Sequence, residues 1–305
     1  MKAETHKIKI RKSKKMKSDM YWGYMMIAPV MIGLSIFCIW PFFQNFYFSF
    51  TKWNAFGKVN WKGFDNYIRL FSDREVLQAL INTCKYTILT LPLSIIISII
   101  IAVLLNQKIK GVGFYRTLYF LPAVTMPVAV AMVWKWLYNG DYGLINFALN
   151  KIGIDKIYWI SDPKYAMYSL AIVAIWAAIG YNMVIFISGL QGIPSTYYEA
   201  AEIDGAGKLS QFFYITLPLL TPTIFFITVT SLLSSFQVFD IIYMMIGKGS
   251  PAIEATESIV YVFYKNAFLI NEKGYGSSIA VVLFVIILMF TTLQLKMQKK
   301  WVHYD

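Results

Sequence analysis

The sequence predicts an all-α integral membrane protein, a single membrane domain of about six transmembrane helices, several of them kinked. Three observations predict it. Only 14% of the 305 residues are charged and 58% are apolar, whereas soluble domains carry roughly 25% charge. Six stretches approach or reach the ~20 apolar residues that a spanning helix needs. They lie at about 24–47, 86–106, 117–134, 165–190, 217–239 and 275–295, and none contains Asp, Glu, Lys or Arg. Prolines stand in or beside several of them, namely Pro29, Pro41, Pro92, Pro122, Pro127, Pro218 and Pro222. In lipid such breaks survive where neighbouring helices or water satisfy the freed carbonyls, which favours a kinked bundle.

The ends bracket this domain, with a basic tail over 1–20, the membrane domain over 21–298 and a short tail over 299–305. Eight of the 28 Lys and Arg lie between Lys2 and Lys17. That cluster beside the first apolar run suits a cytoplasmic tail at an anionic leaflet rather than a nucleic-acid arm. The uncharged run from Tyr21 to Thr51 outlasts a signal-peptide core and reads as a retained first span. Lys108, Lys110 and Arg116 crowd the short second loop. Short loops and the first helix dominate the positive-inside rule, so both termini and the loops 107–116 and 191–216 are expected in the cytoplasm. Outside then lie 51–85, 139–164 and 240–274. In the first of these Tyr67, Ile68, Phe71, Val76, Leu77 and Leu80 recur at helical spacing, which predicts an amphipathic helix on the external interface, with a plain solvent-exposed loop helix as the alternative.

Two cysteines, Cys38 and Cys84, and two histidines, His6 and His303, form no metal-ligand spacing and no catalytic cluster. No metal site and no catalytic residue is expected.

The cytoplasmic loop 191–216 is the polar exception in this chain. Thr196 and Glu199 form a T-x-x-E capping box that predicts a helix start. Glu199 and Glu202 are placed in the early turns of that helix, and Gly205 supplies a left-handed stop with Gly207 adding freedom. A second helix is expected to resume near Ser210 and to enter the membrane at Leu217-Pro218. Ala200 and Ala201 make a small face that a partner can approach, flanked by Tyr197 and Tyr198 as anchors. An interfacial helix on lipid would favour Lys and Arg; this loop has Glu199, Glu202 and Asp204 with only Lys208, so a protein partner is the better reading.

The stretch EAAEIDGAGKLSQFFYITLP resembles the EAA signature of bacterial ABC-importer permease subunits. The matching positions are Glu199, Ala200, Ala201, Gly205, Ile215, Leu217 and Pro218. The resemblance covers roughly 22–298 and looks like the carbohydrate branch related to maltose and glycerol-3-phosphate permeases. It is carried also by NQKIKGVGFYRTLYFLPAV, WKWLYNGDYGLIN, GYNMVIFISGLQGIPSTYYEAAEIDGA and SSFQVFDIIYMM. GKGSP, Gly247 to Pro251, departs from the usual Gly-Gly-Gly-Pro at Lys248 and Ser250.

The resemblance implies a type I ABC-importer bundle with a cytoplasmic coupling helix. Glu199, Ala200, Ala201, Asp204, Gly205 and Gly207 would then couple to a separate ATPase. It implies a second permease subunit, two copies of a cytoplasmic ABC ATPase and an extracytoplasmic solute-binding protein, in the plasma membrane of a bacterium or archaeon. No G-x-x-x-x-G-K-[ST] sequence occurs, so ATP and Mg are expected in the partner and no cofactor in this chain. The expected cargo is a sugar or sugar derivative.

A sugar path needs hydroxyl partners and aromatic faces near mid-membrane. The candidates are Trp176, Tyr181 and Asn182 in the fourth span, with Ser234, Ser235, Phe236 and Gln237 in the fifth. Serines at helix contacts also serve close packing, and aromatics serve lipid belts. An ATP-independent secondary transporter or channel is the alternative function. It predicts intramembrane charges or inverted repeats, and the six spans hold no acid or base. A membrane-embedded enzyme would need a cluster of His, Cys or carboxylates at depth.

Overall fold

The computed structural model describes residues 14–53, 59–107 and 109–302, in two units, 1–48 and 49–305. The basic positions Lys2 to Lys12, Lys108 and both histidines lie outside the described residues.

The first unit contains one long helix, α1 (Ser18–Phe48), apolar enough to cross a membrane. It passes through a π-helical turn at Ser35–Ile39. Pro41 lacks an N–H and its ring crowds the carbonyl four residues earlier, a position inside that turn, so the wider turn absorbs the conflict. The same device recurs at Phe212–Thr216, ahead of Pro218.

The second unit opens with a hairpin, β1 (Thr51–Trp53) and β2 (Val59–Trp61), paired antiparallel with Thr51 opposite Trp61. A short helix, α2 (Asp65–Ser72), follows. It presents Ile68 and Phe71 to the exterior while burying Leu70. The expected amphipathic helix ends there. Asp73 takes an extended conformation and its carboxylate accepts from Glu75 N at 3.0 Å, starting a new helix, α3 (Arg74–Leu105). Val76, Leu77 and Leu80 therefore belong to the first turns of a span, which begins twelve residues before the polar-to-apolar change marks it.

The third apolar stretch is broken. Helix α4 (Val112–Val124) and helix α5 (Pro127–Leu137) meet at 99°. Thr125 and Met126 are extended because proline disfavours the helical region for the residue before it. After α6 (Leu144–Asn150) comes the long α7 (Pro163–Gln191), started by Asp162 accepting from Lys164 N at 2.8 Å. The loop 191–216 forms α8 (Ser195–Ile203) and leads into α9 (Lys208–Leu219), which bends by 64° into α10 (Thr221–Phe236). The remaining helices are α11 (Asp240–Met245), α12 (Ile253–Thr256), α13 (Ile259–Leu269) and α14 (Lys273–Trp301). Among the described residues four helices are long enough to span, or six if each bent pair is one span.

The core fixes which ends lie together. Helices α3 and α7 run parallel, because Ile95, Ile99 and Leu105 near the end of one pack with Met183, Phe186 and Leu190 near the end of the other. Their opposite halves meet through Tyr86, Met167 and Leu170. Gly180 is the closest approach: a Cβ there would lie 2.2 Å from Tyr119 O, so α4 packs backbone against backbone on α7. Phe225 meets Trp301 with ring centroids 6.1 Å apart, which brings the end of α14 back toward the start of α10. The loops 107–116 and 191–216 thus sit at one end of the bundle. At the other end Asn82 donates to Glu254 O and Glu257 O, at 2.9 and 3.2 Å, and ties the 240–258 segment to α3.

Candidate functional site

The helix–turn–helix over 195–219 is built by local geometry. Pro194, with φ −60° and ψ 135°, stands at the N-cap, and no side chain caps the helix. The expected capping box does not form. Proline's fixed φ starts α8 at Ser195, which carries Thr196 inside the first turn. Glu199 falls in the second turn and Glu202 in the last, where the helix dipole opposes a carboxylate. Lys208 offsets this by donating to Glu202 Oε1 at 2.5 Å, and its hydrogen bond and charge hold the Glu202 carboxyl below its ordinary range.

The chain then reverses at Gly205, whose φ of 77° is left-handed. Ala206 N reaches Ala201 O at 2.8 Å and Gly205 N reaches Glu202 O at 3.1 Å. These are the two bonds of a Schellman stop, so the last carbonyls of α8 are satisfied without outside help. Gln211 is buried and donates to Ala206 O at 3.2 Å, and Tyr198 shares a 3.0 Å hydrogen bond with Thr216 Oγ1. The unit is braced to the base of α9. Yet Ile203 is 87% exposed and Leu209 77%. This leaves a braced knob with apolar tips and exposed carboxyl side chains at Glu199 and Asp204.

The second site lies halfway along the bundle. A cavity of about 210 Å³ is bordered by α3, α7 and α10. Tyr181, Asn182, Ser234 and Ser235 line it, as do Tyr86, Thr90 and Ser94 from α3. The structure places the other candidates elsewhere. Trp176 lies six residues from Asn182, on the other side of α7, and stacks edge-on with Trp134 at 5.5 Å. It borders an apolar cleft at the bend between α4 and α5. Phe236 is packed in the core against Phe290, centroids 5.3 Å apart. Gln237 stands past the last turn of α10, where its N–H donates to Leu233 O. The α3 residues have a regular spacing in the sequence, which fits helix packing equally well until a facing helix is known. Tyr86, Thr90, Ser94 and Ser98 recur every four residues in an apolar run, and all are buried.

At the end opposite the knob, a larger cavity of about 680 Å³ is bordered by charged side chains. Lys265 donates to Glu75 Oε1 at 2.5 Å, and Gly247 and Gly249, both left-handed, shape the loop that brings Lys248 and Gly249 to its rim. Glu257 is buried nearby, and its pKa is pushed up to about 7, first by burial and then by the Glu75 charge, with Lys265 opposing. A carboxyl raised in the fold from an ordinary 4.5 penalises folding wherever it must ionise. The penalty is absent below the unfolded value, grows as pH rises and is complete above about 7. Glu257→Gln is therefore expected to leave the thermal midpoint unchanged at pH 4.5 and raise it at pH 8, read by fluorescence melting of the purified protein in detergent.

Apolar helices broken at prolines, a polar cleft midway between three of them and a braced polar knob at one end define a multi-pass membrane transport subunit. Residues 70–301 match the family described as binding-protein-dependent transport system inner membrane component. The chain belongs to that family and is an ABC-importer permease subunit. It is 37% identical over 300 residues to the "Probable ABC transporter permease protein YesP" of Bacillus subtilis (strain 168), covering 97% of this chain and 96% of that one. It is 31% identical over 293 residues to the "Trehalose/maltose transport system permease protein MalF" of Thermococcus litoralis, covering 96% of each. The fold matches a chain of a bacterial ABC transporter involved in the import of the acidic polysaccharide alginate. The TM-score is 0.84 at 23% identity, over 94% of this chain and 98% of that one.

Proposed function

We propose that this permease carries a sugar or sugar derivative through the cleft between α3, α7 and α10, and is driven by a separate ATPase docked on the α8–α9 knob. The observation that carries this reading is the bracing of the knob. α8 is clamped to α9 by the Lys208–Glu202 pair and by the Tyr198–Thr216 hydrogen bond, and α9 continues through one bend into the helix that bears Ser234 and Ser235. A push on α8 is therefore delivered to the wall of the cleft instead of being lost in loop motion.

In this reading the knob and both termini face the cytoplasm. Glu199, Ala200, Ala201 and Asp204 meet the partner, and Gly205 and Gly207 set the turn that presents them. A second permease subunit completes the path, an external solute-binding protein delivers cargo to the charged end, and ATP and Mg are handled by two ATPase copies. The sugar class is supported by the trehalose/maltose relative and by the hydroxyl and amide groups of the cleft. The sidedness is tested at Ile203, the most exposed apolar residue of the knob. With Cys38 and Cys84 changed to Ser, Ile203→Cys is expected to react with a membrane-impermeant maleimide in inside-out vesicles and not in intact cells. Co-expression of the cognate ATPase should slow that reaction. Labelling from outside would sink the orientation and the docking site together.

A further inference from the structure

The polar groups of the cleft differ in what they can still offer a ligand. None of the residues bordering it is Asp, Glu, Lys or Arg. Four of the eight hydroxyls that border it, those of Thr90, Ser94, Thr230 and Ser234, commit their protons to the helices that carry them. Thr90 donates to Tyr86 O at 2.9 Å and Ser94 to Leu91 O at 3.0 Å. Thr230 donates to Phe226 O at 3.1 Å and Ser234 to Thr230 O at 3.0 Å. Each of these four oxygens keeps acceptor capacity and has no proton left to give. Asn182 is the complement: it is buried, it borders the cleft, and its Nδ2 is a donor with no hydrogen-bond partner.

A phosphate or carboxylate brings acceptors and a charge. It would meet those lone pairs and find no cation among the residues of this chain that border the cleft to offset the loss of water. A neutral saccharide brings O–H donors for those lone pairs and ring or hydroxyl oxygens for Asn182. Tyr181, half exposed on the same wall, adds a flat apolar face for the sugar ring.

We propose that the cargo is an uncharged saccharide, selected in the cleft by the acceptor oxygens of Thr90, Ser94, Thr230 and Ser234 and by the donor amide of Asn182. The proposal rests on the reading of the cleft as the translocation path. It separates this chain from the alginate importer whose fold it shares, since that cargo is an acidic polysaccharide.

The test uses cells carrying the complete transporter, compared with cells lacking only this chain. Both are fed a mixture of neutral mono- to tetrasaccharides and a matched mixture of uronate oligosaccharides, with depletion followed by mass spectrometry. Chain-dependent depletion is expected among the neutral sugars alone. Ser234→Trp should cut it to below one-tenth with the chain at normal level in the membrane. Asn182→Asp, which replaces the unpaired donor with a charged acceptor, should lower uptake at least ten-fold while Asn182→Gln retains more. Chain-dependent uptake of uronates that Ser234→Trp abolishes would overturn the neutral-cargo assignment and leave the path in place. Uptake of either mixture that is indifferent to Ser234→Trp would overturn the path itself.

Discussion

Glu199→Lys is expected to leave the chain in the membrane at wild-type level and to reduce uptake to background. Glu199 is exposed on the second turn of α8 and has no hydrogen-bond or ion-pair partner among the described residues, so reversing its charge costs the isolated subunit little. At the ATPase interface proposed above, the same change would place a cation where a carboxylate is expected. Losses of charge complementarity of this kind run to about 2–5 kcal/mol, which corresponds to a thirty-fold or larger fall in affinity for the ATPase. Two measurements check it, co-purification of the ATPase with the tagged permease and whole-cell uptake. Normal uptake in the variant would remove α8 from the coupling machinery. Glu202→Lys would be a poorer probe, because it also breaks the pair with Lys208 that braces the knob.

Gly180→Val is expected to destabilise the protein by forcing apart two packed helices. The added Cβ would meet Tyr119 O at 2.2 Å and Phe120 Cα at 2.9 Å, both backbone atoms, so no side-chain rotation relieves the clash. Helix α4 must move off α7. Overpacking of this kind costs about 1–3 kcal/mol or more, and the thermal midpoint in detergent should fall by about 5 °C. Gly23→Ala serves as the control, since its added methyl meets nothing within 4 Å. A Gly180→Val protein that melts with the wild type would show that α4 is not seated on α7 in the membrane.

The two variants probe opposite kinds of contact, and the same division separates what could be read along the chain from what could not. The knob was legible because its determinants are local. Gly205 is left-handed for reasons contained within α8 and the turn after it, and the Schellman bonds link residues only three to five apart. The capping box was misplaced for an equally local reason, that Pro194 starts the helix before Thr196 can cap it. The broken third span was half legible. Pro127 marks the break, but the 99° angle depends on what α4 and α5 pack against.

The cleft was legible only in part. Tyr181 and Asn182 on α7 and Ser234 and Ser235 on α10 do meet, whereas Trp176, Phe236 and Gln237 point or lie elsewhere. One helical wheel separates Trp176 from Asn182, so that much could have been drawn from spacing alone. The contribution of Tyr86, Thr90 and Ser94 could not, since a hydroxyl every four residues is equally a packing device until a facing helix is known.

By itself the sequence determined the membrane class, the uncharged apolar segments and the position of the polar knob, because hydropathy and turn chemistry act over a few residues. Only the tertiary structure decided that α3 runs parallel to α7, that α10 closes a cleft against both, and that the unpaired amide of Asn182 borders acceptor oxygens. The register of one helix against another is set by interdigitating side chains far apart in the chain, such as Phe186 on α7 with Ile99 on α3 and Leu220 at the bend before α10.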